Sequence, residues 1–336
     1  EKIGARFTNA GSILTQGDVA QGSDLGKLGW DVTGAGVKIG VISDSYDQAI
    51  GAGNAITDIG NGDIPSNIQI IKDYPGVASD EGRAMLQIVH DVAPGAELAF
   101  RTGFLGEGSM AAAIRELEAE GCDIIVDDVQ YVSEPMFREG LIARAVGEVT
   151  NSGVEYFSAA GNFGSRSFEG VFSGGTNNRH DFDNDDLQTM NLGVGQYLFV
   201  LQWDNDFYSL GTAGAQTDLD IYLVNDDGSI LYGFNRDNLG ENPVEAMPFT
   251  VINPTVSHIV IEDATGNANG TRFKYVVFRA GDNPSNFSAS PSVQGSTIVG
   301  HASCEETITV GAVRYDNTPA YGGVLSPMSF SSWGLS

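Results

Sequence analysis

The sequence predicts an α/β protein with a doubly wound, mostly parallel sheet and an antiparallel β-sandwich inserted into it. Three observations predict this. Between residues 30 and 163, short β-branched runs alternate with amphipathic helical patterns, the rhythm of βαβ units. From about residue 164 to 290 the helical patterning stops, and alternating strands separated by Asn/Asp/Gly turns replace it, as in sandwiches. At Thr307-Ile-Thr-Val-Gly-Ala-Val313 the buried, parallel type of run returns. The expected domains are therefore 1–163 and 293–336 for the α/β part and 164–292 for the insert.

Taken in order, residues 1–33 are weakly periodic, and the first clear strand is Val37–Ile42, ending in Ser43-Asp44-Ser45. Its glycines, Gly34 and Gly36, precede the strand, whereas a dinucleotide-binding loop must follow one, so that reading fails. Residues 50–66 read as a Gly/Asn/Asp loop and 68–71 as a second strand. A helix follows over 80–92, with Ala84, Met85, Ile88, Val89 and Val92 as its apolar stripe. Ser79 or Asp80 is the expected N-cap, and Pro94-Gly95 the stop. A strand at 97–100, a helix at 109–120 closed by Gly121, a strand at 122–128, a helix at 137–150 and a strand at 154–162 complete the alternation. In the insert, strands are expected at 196–203, 219–224, 257–262 and 273–278.

A length of 336 residues with 41% hydrophobic content and 44 glycines fits a globular protein rich in turns and sheet. The net charge of −27 excludes a nucleic-acid partner, which needs a basic footprint. It points instead to a secreted, salt-exposed surface, and the Asp-rich loops to structural calcium rather than an organic cofactor. No apolar run reaches the roughly 18 residues a membrane span requires, and the polar opening Glu1-Lys2 is what a processed, secreted chain would present. Two cysteines are too few for a disulfide framework. Cys122 and Cys304 read as buried thiols, with a single disulfide as the alternative.

Several pieces, in this order, resemble the subtilisin-like serine peptidases. Gly36-Val-Lys-Ile-Gly-Val-Ile-Ser-Asp44-Ser resembles the strand carrying that family's catalytic Asp. Ala159-Ala-Gly-Asn162 resembles the strand end supplying its oxyanion-hole Asn, and Ile308–Ala312 and Phe330-Ser-Ser-Trp-Gly334 its later segments. The resemblance covers 30–163 and 296–336. It departs from the family where a His-Gly pair is expected, because this chain has Glu81-Gly82. Sedolisins, relatives of the same fold, use Glu as the base, but their partner Asp one helical turn on is here Met85. The resemblance thus implies an Asp44/Glu81/Ser arrangement with Asn162 as the oxyanion donor. None of Ser329, Ser331, Ser332 or Ser336 matches the family's Gly-Thr-Ser nucleophile motif, so the nucleophile is expected beyond this chain, on its own C-terminal segment or on a separate, processed piece.

Each candidate also has an ordinary role. Acidic residues favour helix N-termini, as Glu81 would do, and Asp44 and Asn162 stand at strand ends where turn residues collect. An isolated Glu with a pKa of about 4.3 is a weak base at neutral pH, so Glu81 needs a second carboxylate, Asp44, within about 4 Å to raise it. A mildly acidic optimum follows. Asp127 and Asp128, with Tyr131 just after them, are candidates for an acidic subsite wall that selects a basic side chain of a peptide or protein substrate. Asp181, Asp183 and Asp185 alternate in a loop as calcium ligands would, without the full spacing of an EF-hand. The rival functions are a non-catalytic relative that holds a peptide or partner, and a sandwich that binds carbohydrate through Tyr197, Trp203, Tyr208 and Tyr222.

Overall fold

The computed structural model describes residues 14–51, 53–283, 287–291 and 295–334. The expected boundary at 292–293, and Ser336, lie outside the described residues.

In chain order the elements are α1 (Gln16–Gln21), α2 (Ser23–Trp30), β1 (Lys38–Ser43), α3 (Ala55–Asn61), β2 (Gln69–Lys72), α4 (Glu81–Val92), β3 (Glu97–Thr102), α5 (Glu107–Ala119), β4 (Ile124–Asp127), α6 (Leu141–Asn151) and β5 (Glu155–Ala159). Then come β6 (Ser167–Val171), β7 (Gln188–Leu192), β8 (Gly195–Trp203), β9 (Leu219–Val224), β10 (Ile230–Phe234), β11 (Val244–Val251), β12 (Thr255–Asp263), β13 (Arg272–Ala280), β14 (Ser288–Ser290) and β15 (Ile308–Val310). Helix α3 lies inside the stretch expected to be a loop. Asn54 caps it, its side-chain oxygen accepting from Thr57 N at 2.9 Å.

The chain divides into two compact units. One holds the residues through Tyr131, Leu141–Ala160 and His301–Ser329; the other holds Val132–Gly140, Gly161–Gly300 and the residues from Phe330 on. Compared with the expected insert, the second unit also takes 132–140, 161–163, 295–300 and the residues from Phe330 on.

In the first unit six strands form a parallel sheet in the order β15-β5-β4-β1-β3-β2. The sequence order reverses around β1, so the chain winds both ways from it, and the carboxyl end of β1 is where such folds gather reactive groups. Side chains of β1 alternate between two cores. Ile39 and Val41 join Leu86 of α4 and Phe100 of β3, while Ile42 joins Met110, Ile114 and Leu117 of α5 and Ile142 and Val146 of α6. At Gly40 a Cβ would stand 3.0 Å from both Leu117 methyls and 3.1 Å from the Cys122 sulfur, so the helix packs directly on the strand backbone.

The stripe of α4 differs from the expected one. Leu86 is buried at its centre with Met85 and Val89 beside it, whereas Ala84 and Ile88 are exposed. The reason is electrostatic. Arg83 is buried on this face, its guanidinium bonded to Asp58 at 2.8 Å, Asp80 at 2.6 Å and the Tyr46 carbonyl at 2.5 Å, which rotates the inward face towards it. Strand β15 is likewise less buried than expected, with Ile308 44% and Val310 53% exposed, since among the described strands it pairs with β5 alone. The cysteines form no disulfide; Cys122 is buried and Cys304 half-buried. Among the described residues no helix is long and apolar enough to cross a membrane.

In the second unit a five-stranded sheet, β10-β9-β12-β7-β14, and a four-stranded sheet, β11-β8-β13-β6, share one apolar core. All their pairings are antiparallel. Tyr197 and Trp203 lie in that core and Tyr222 is 8% exposed, so of the four aromatics considered for sugar stacking only Tyr208 faces solvent.

Gly82 provides a test of how α4 is seated. Replacing a helical glycine by alanine ordinarily stabilises by about 1 kcal/mol. Here a Cβ would lie 2.4 Å from Phe100 Cε2 and 2.7 Å from the Ser45 carbonyl. Gly82→Ala is therefore expected to lower stability by about 1–3 kcal/mol through overpacking, read as a fall in the denaturation midpoint; a rise would mean that α4 is not held against β1 and β3 in this way.

Candidate active site

The carboxyl end of β1 and the amino end of α4 are joined by one side chain. Asp44, 4% exposed, directs Oδ1 to the backbone N–H of Ser45 at 2.5 Å, of Glu81 at 2.9 Å and of Gly82 at 3.4 Å. Its Oδ2 accepts from Ser79 N and Ser79 Oγ, both at 2.6 Å. The residue at the helix cap, Asp80, is in the left-handed region (φ 60°) and gives no side-chain cap bond of its own. Its carboxylate instead takes the Ser45 hydroxyl at 2.8 Å, Gln48 N at 2.6 Å and Arg83. The exposed N–H groups of α4 are thus satisfied from another strand, by a carboxylate placed where the helix dipole favours it. Burial by itself would raise the pKa of Asp44, but the bonds from Ser79, Ser45 and Gly82 outweigh it and hold the carboxyl below its ordinary value.

Glu81 is the first residue of α4, with an exposed side chain. Beyond the end of β4, Asp128 accepts from Ser43 Oγ at 3.1 Å. Its pKa is pushed up to about 7, chiefly by burial, with the negative charges of Glu81, Asp127 and Asp44 adding to it and the Ser43 bond opposing it. Two carboxyls from one sheet edge therefore go opposite ways. Asp44, saturated with donors, stays ionised, and Asp128, with one donor, is the group raised towards neutrality.

The remaining candidates fall elsewhere. Asp127 is 2% exposed and points into the interior, accepting from Ser158 Oγ at 3.2 Å with His301 Nε2 at 3.2 Å, so it lines no groove wall. Ser158, His301 and Asp127 have the composition of a catalytic triad but not its geometry. Both Ser158 Oγ (3.3 Å) and the Asp127 carboxylate approach the same ring nitrogen, and all three are buried. Tyr131 uses its hydroxyl locally, donating to the Gly103 carbonyl and accepting from Gly106 N at 2.8 Å. Asn162 belongs to the second unit, where it is exposed at a bend and its carbonyl accepts from Arg166 Nη2 at 2.7 Å.

The loop acids are occupied by turn hydrogen bonds. Asp181 Oδ1 accepts from Asn184 N at 2.5 Å and Asp185 Oδ1 from Leu187 N at 3.0 Å, with Asp183 exposed at φ 85°. Among the described residues the group of acids close enough to share a cation is a different one, Asp218, Asp220 and Glu245. Sequence reasoning offered Ser79 only as a helix cap and gave Ser43 no role, whereas their hydroxyls bond Asp44 and Asp128.

No protein-family model matches the sequence, and no curated protein matches it. Among solved structures, the chain is similar to a lanthipeptide protease, with 18% identity over 44% of this chain and 46% of that one and a TM-score of 0.35. It is also similar to the prenylagaramide maturation protease PagA, with 20% identity over 41% and 51% and a TM-score of 0.30. For MycP1 with its N-terminal propeptide removed the values are 16%, 44% and 50%, with a TM-score of 0.26. The chain spans about half the length of each of these structures.

The raised carboxyl has a measurable sign. An Asp whose folded pKa lies near 7 keeps a proton that the unfolded chain, ionising near 4, has lost. Stability should therefore fall as pH rises from about 4 to about 7 by the contribution of this group. Asp128→Asn is expected to remove that component and to be relatively most stabilising at pH 7 and above. Unfolding curves with the same pH slope in both proteins would show that Asp128 ionises normally in the folded state.

Proposed function

We propose that this chain is the acid–base part of a secreted serine endopeptidase of subtilisin-like fold, acting on peptide or protein substrates. The observation that carries the reading is the clamp of Asp44 on the first turn of α4. It fixes the backbone of Glu81 at the carboxyl end of β1, and the Glu81 charge adds to the burial that pushes Asp128 up to about 7. The motif order described for the sequence, with β1 ending in Asp44 and Glu81-Gly82 opening the helix, supports the same assignment. Glu81 would accept the serine proton and return it to the leaving amine, in the role a histidine plays in the usual triad. The Glu81 charge adds to the burial that raises the Asp128 carboxyl. Asn162 would donate its side-chain amide to the oxyanion. The nucleophilic serine would come from the full polypeptide, since no serine here has the Gly-Thr-Ser context. The two antiparallel sheets with their common core are read as a β-sandwich inserted into the catalytic fold.

A second reading, a non-catalytic relative that only holds peptide, is favoured by one observation. Every oxygen of Asp44 is already used by structural donors, as in a carboxylate retained for folding alone.

Fluorophosphonate labelling and peptide hydrolysis by the full-length protein separate the two. Under the peptidase reading the serine labels, Glu81→Gln lowers kcat by about 10²–10⁴-fold, and Asn162→Ala lowers it by about 10²–10³-fold. The pH profile should carry an inflection near 7 that Asp128→Asn removes. Absent labelling with retained peptide binding would establish the second reading, as would activity indifferent to Glu81→Gln.

A further inference from the structure

We propose that the all-β unit carries a divalent-cation site, with calcium as its ion, formed where β9 of one sheet meets β11 of the other by Asp218, Asp220 and Glu245. The proposal is independent of the peptidase reading, and it uses none of the loop acids at 181–185.

One carboxylate oxygen from each of the three residues lies within 4.8 Å of the others. That is about the span of two calcium–oxygen bonds, at about 2.4 Å each. All three are buried, with 5%, 6% and 0% exposure for Asp218, Asp220 and Glu245. Three acids in one place would not by themselves define a site, because such groups often satisfy one another or neighbouring N–H groups.

The second observation is that carboxylate oxygens are left over here, although Asp218 and Asp220 each accept one bond and the Arg236 backbone acts weakly on Glu245. Neither carboxylate oxygen of Glu245 has a hydrogen bond of normal geometry, and Asp220 Oδ1 has none either. Buried polar atoms are paired in the great majority of cases, and two adjacent unpaired carboxylates mark a missing partner of opposite charge. Tyr222 donates to Asp220 Oδ2 at 2.9 Å, which holds that side chain with Oδ1 left over. Asn238, fully buried, donates its backbone N–H to Asp218 Oδ1 at 3.3 Å. Its side-chain nitrogen bonds the carbonyls of Asn242 at 2.6 Å and Val244 at 3.2 Å, and its amide oxygen is unpartnered. Asn238 thus carries a further buried, unpartnered oxygen on a residue bonded to Asp218 through its backbone. Arg236, exposed, is the positive side chain acting on Glu245 and Asp218, and on both its effect is smaller than that of burial.

The donor set is all oxygen, with no imidazole or thiolate, which selects a hard cation over zinc or copper. Sequence distance explains the design. Asp218 and Asp220 stand two apart, on one side of an extended segment, and Glu245 reaches them from a strand of the other sheet. A bound ion would thus tie the two sheets together.

The test uses the whole chain stripped with EDTA and dialysed to pH 8, with calcium chloride, magnesium chloride and ionic-strength-matched sodium chloride as probes. Millimolar calcium chloride is expected to raise the melting temperature by several degrees, more than magnesium and far more than sodium. Titration calorimetry should give one calcium per chain. Asp220→Asn and Glu245→Gln should each lose the shift and the binding heat, while the Asp183→Asn, Asp185→Asn double variant keeps both. Glu245→Gln should also melt no lower than the EDTA-treated parent, since it removes an unpaired buried charge, so loss of binding is separable from loss of fold. No calcium-specific shift would overturn the proposal, because the acids would then be sharing protons. A shift that survives Glu245→Gln and Asp220→Asn would overturn it by placing the ion elsewhere.

Discussion

The bond network of one buried carboxylate organises the first unit. Asp44 ends the central strand and accepts the N–H groups that α4 would otherwise leave unsatisfied. A helix whose first turn is capped from a strand cannot slide along it without breaking charged hydrogen bonds in a buried setting, which are stronger than neutral ones. The absence of a side chain at Gly82 allows this approach, since any Cβ would meet Phe100 and the Ser45 carbonyl. The position of Glu81 therefore depends on strand and helix together. It is an exposed carboxylate on a rigid mount.

That mount concentrates negative charge at one edge of the sheet. Asp44 and Asp80 are held ionised by many donors, with Arg83 as the counter-charge for Asp80. Asp128, with the Ser43 hydroxyl as its donor, cannot resist burial in the same way and is the group pushed up to about 7. The contrast arises from hydrogen-bond count rather than residue type, as in enzymes that use two identical carboxyls for opposite roles.

The second unit repeats the theme without its resolution. Its core is aromatic and tightly shared by the two sheets, with Phe199, Trp203, Phe273 and Tyr275 fully buried or nearly so. Against that apolar background Glu245 and Asp220 are costly, and burial pushes them up to about 8 and about 6. A counter-charge at that point would remove the cost and fasten one sheet to the other.

Period and punctuation made much of the fold legible. The β-branched run at 37–42, the apolar run Leu98-Ala-Phe100 and the 3.6-residue pattern at 109–120 mark β1, β3 and α5, because burial on both faces or on one stripe imposes those patterns directly. The run at 219–224 coincides with β9. What spacing could not give was any contact between residues distant in sequence. Nothing near Glu81 says that its helix is capped by a residue 37 positions earlier. Nothing near Arg83 says that it is buried among Asp58 and Asp80, and so the stripe of α4 was misread. Asp127 and Asp128 are adjacent and chemically identical, yet Asp127, the last residue of β4, is buried in the interior and Asp128, just beyond the strand, is half-buried. The sequence by itself determined which segments are strands and helices and which carboxylates stand at their ends, since both follow from local periodicity. Only the tertiary structure decided which of those carboxylates are saturated, which are raised and which are left buried without a partner, because that depends on donors and charges brought in from elsewhere in the chain.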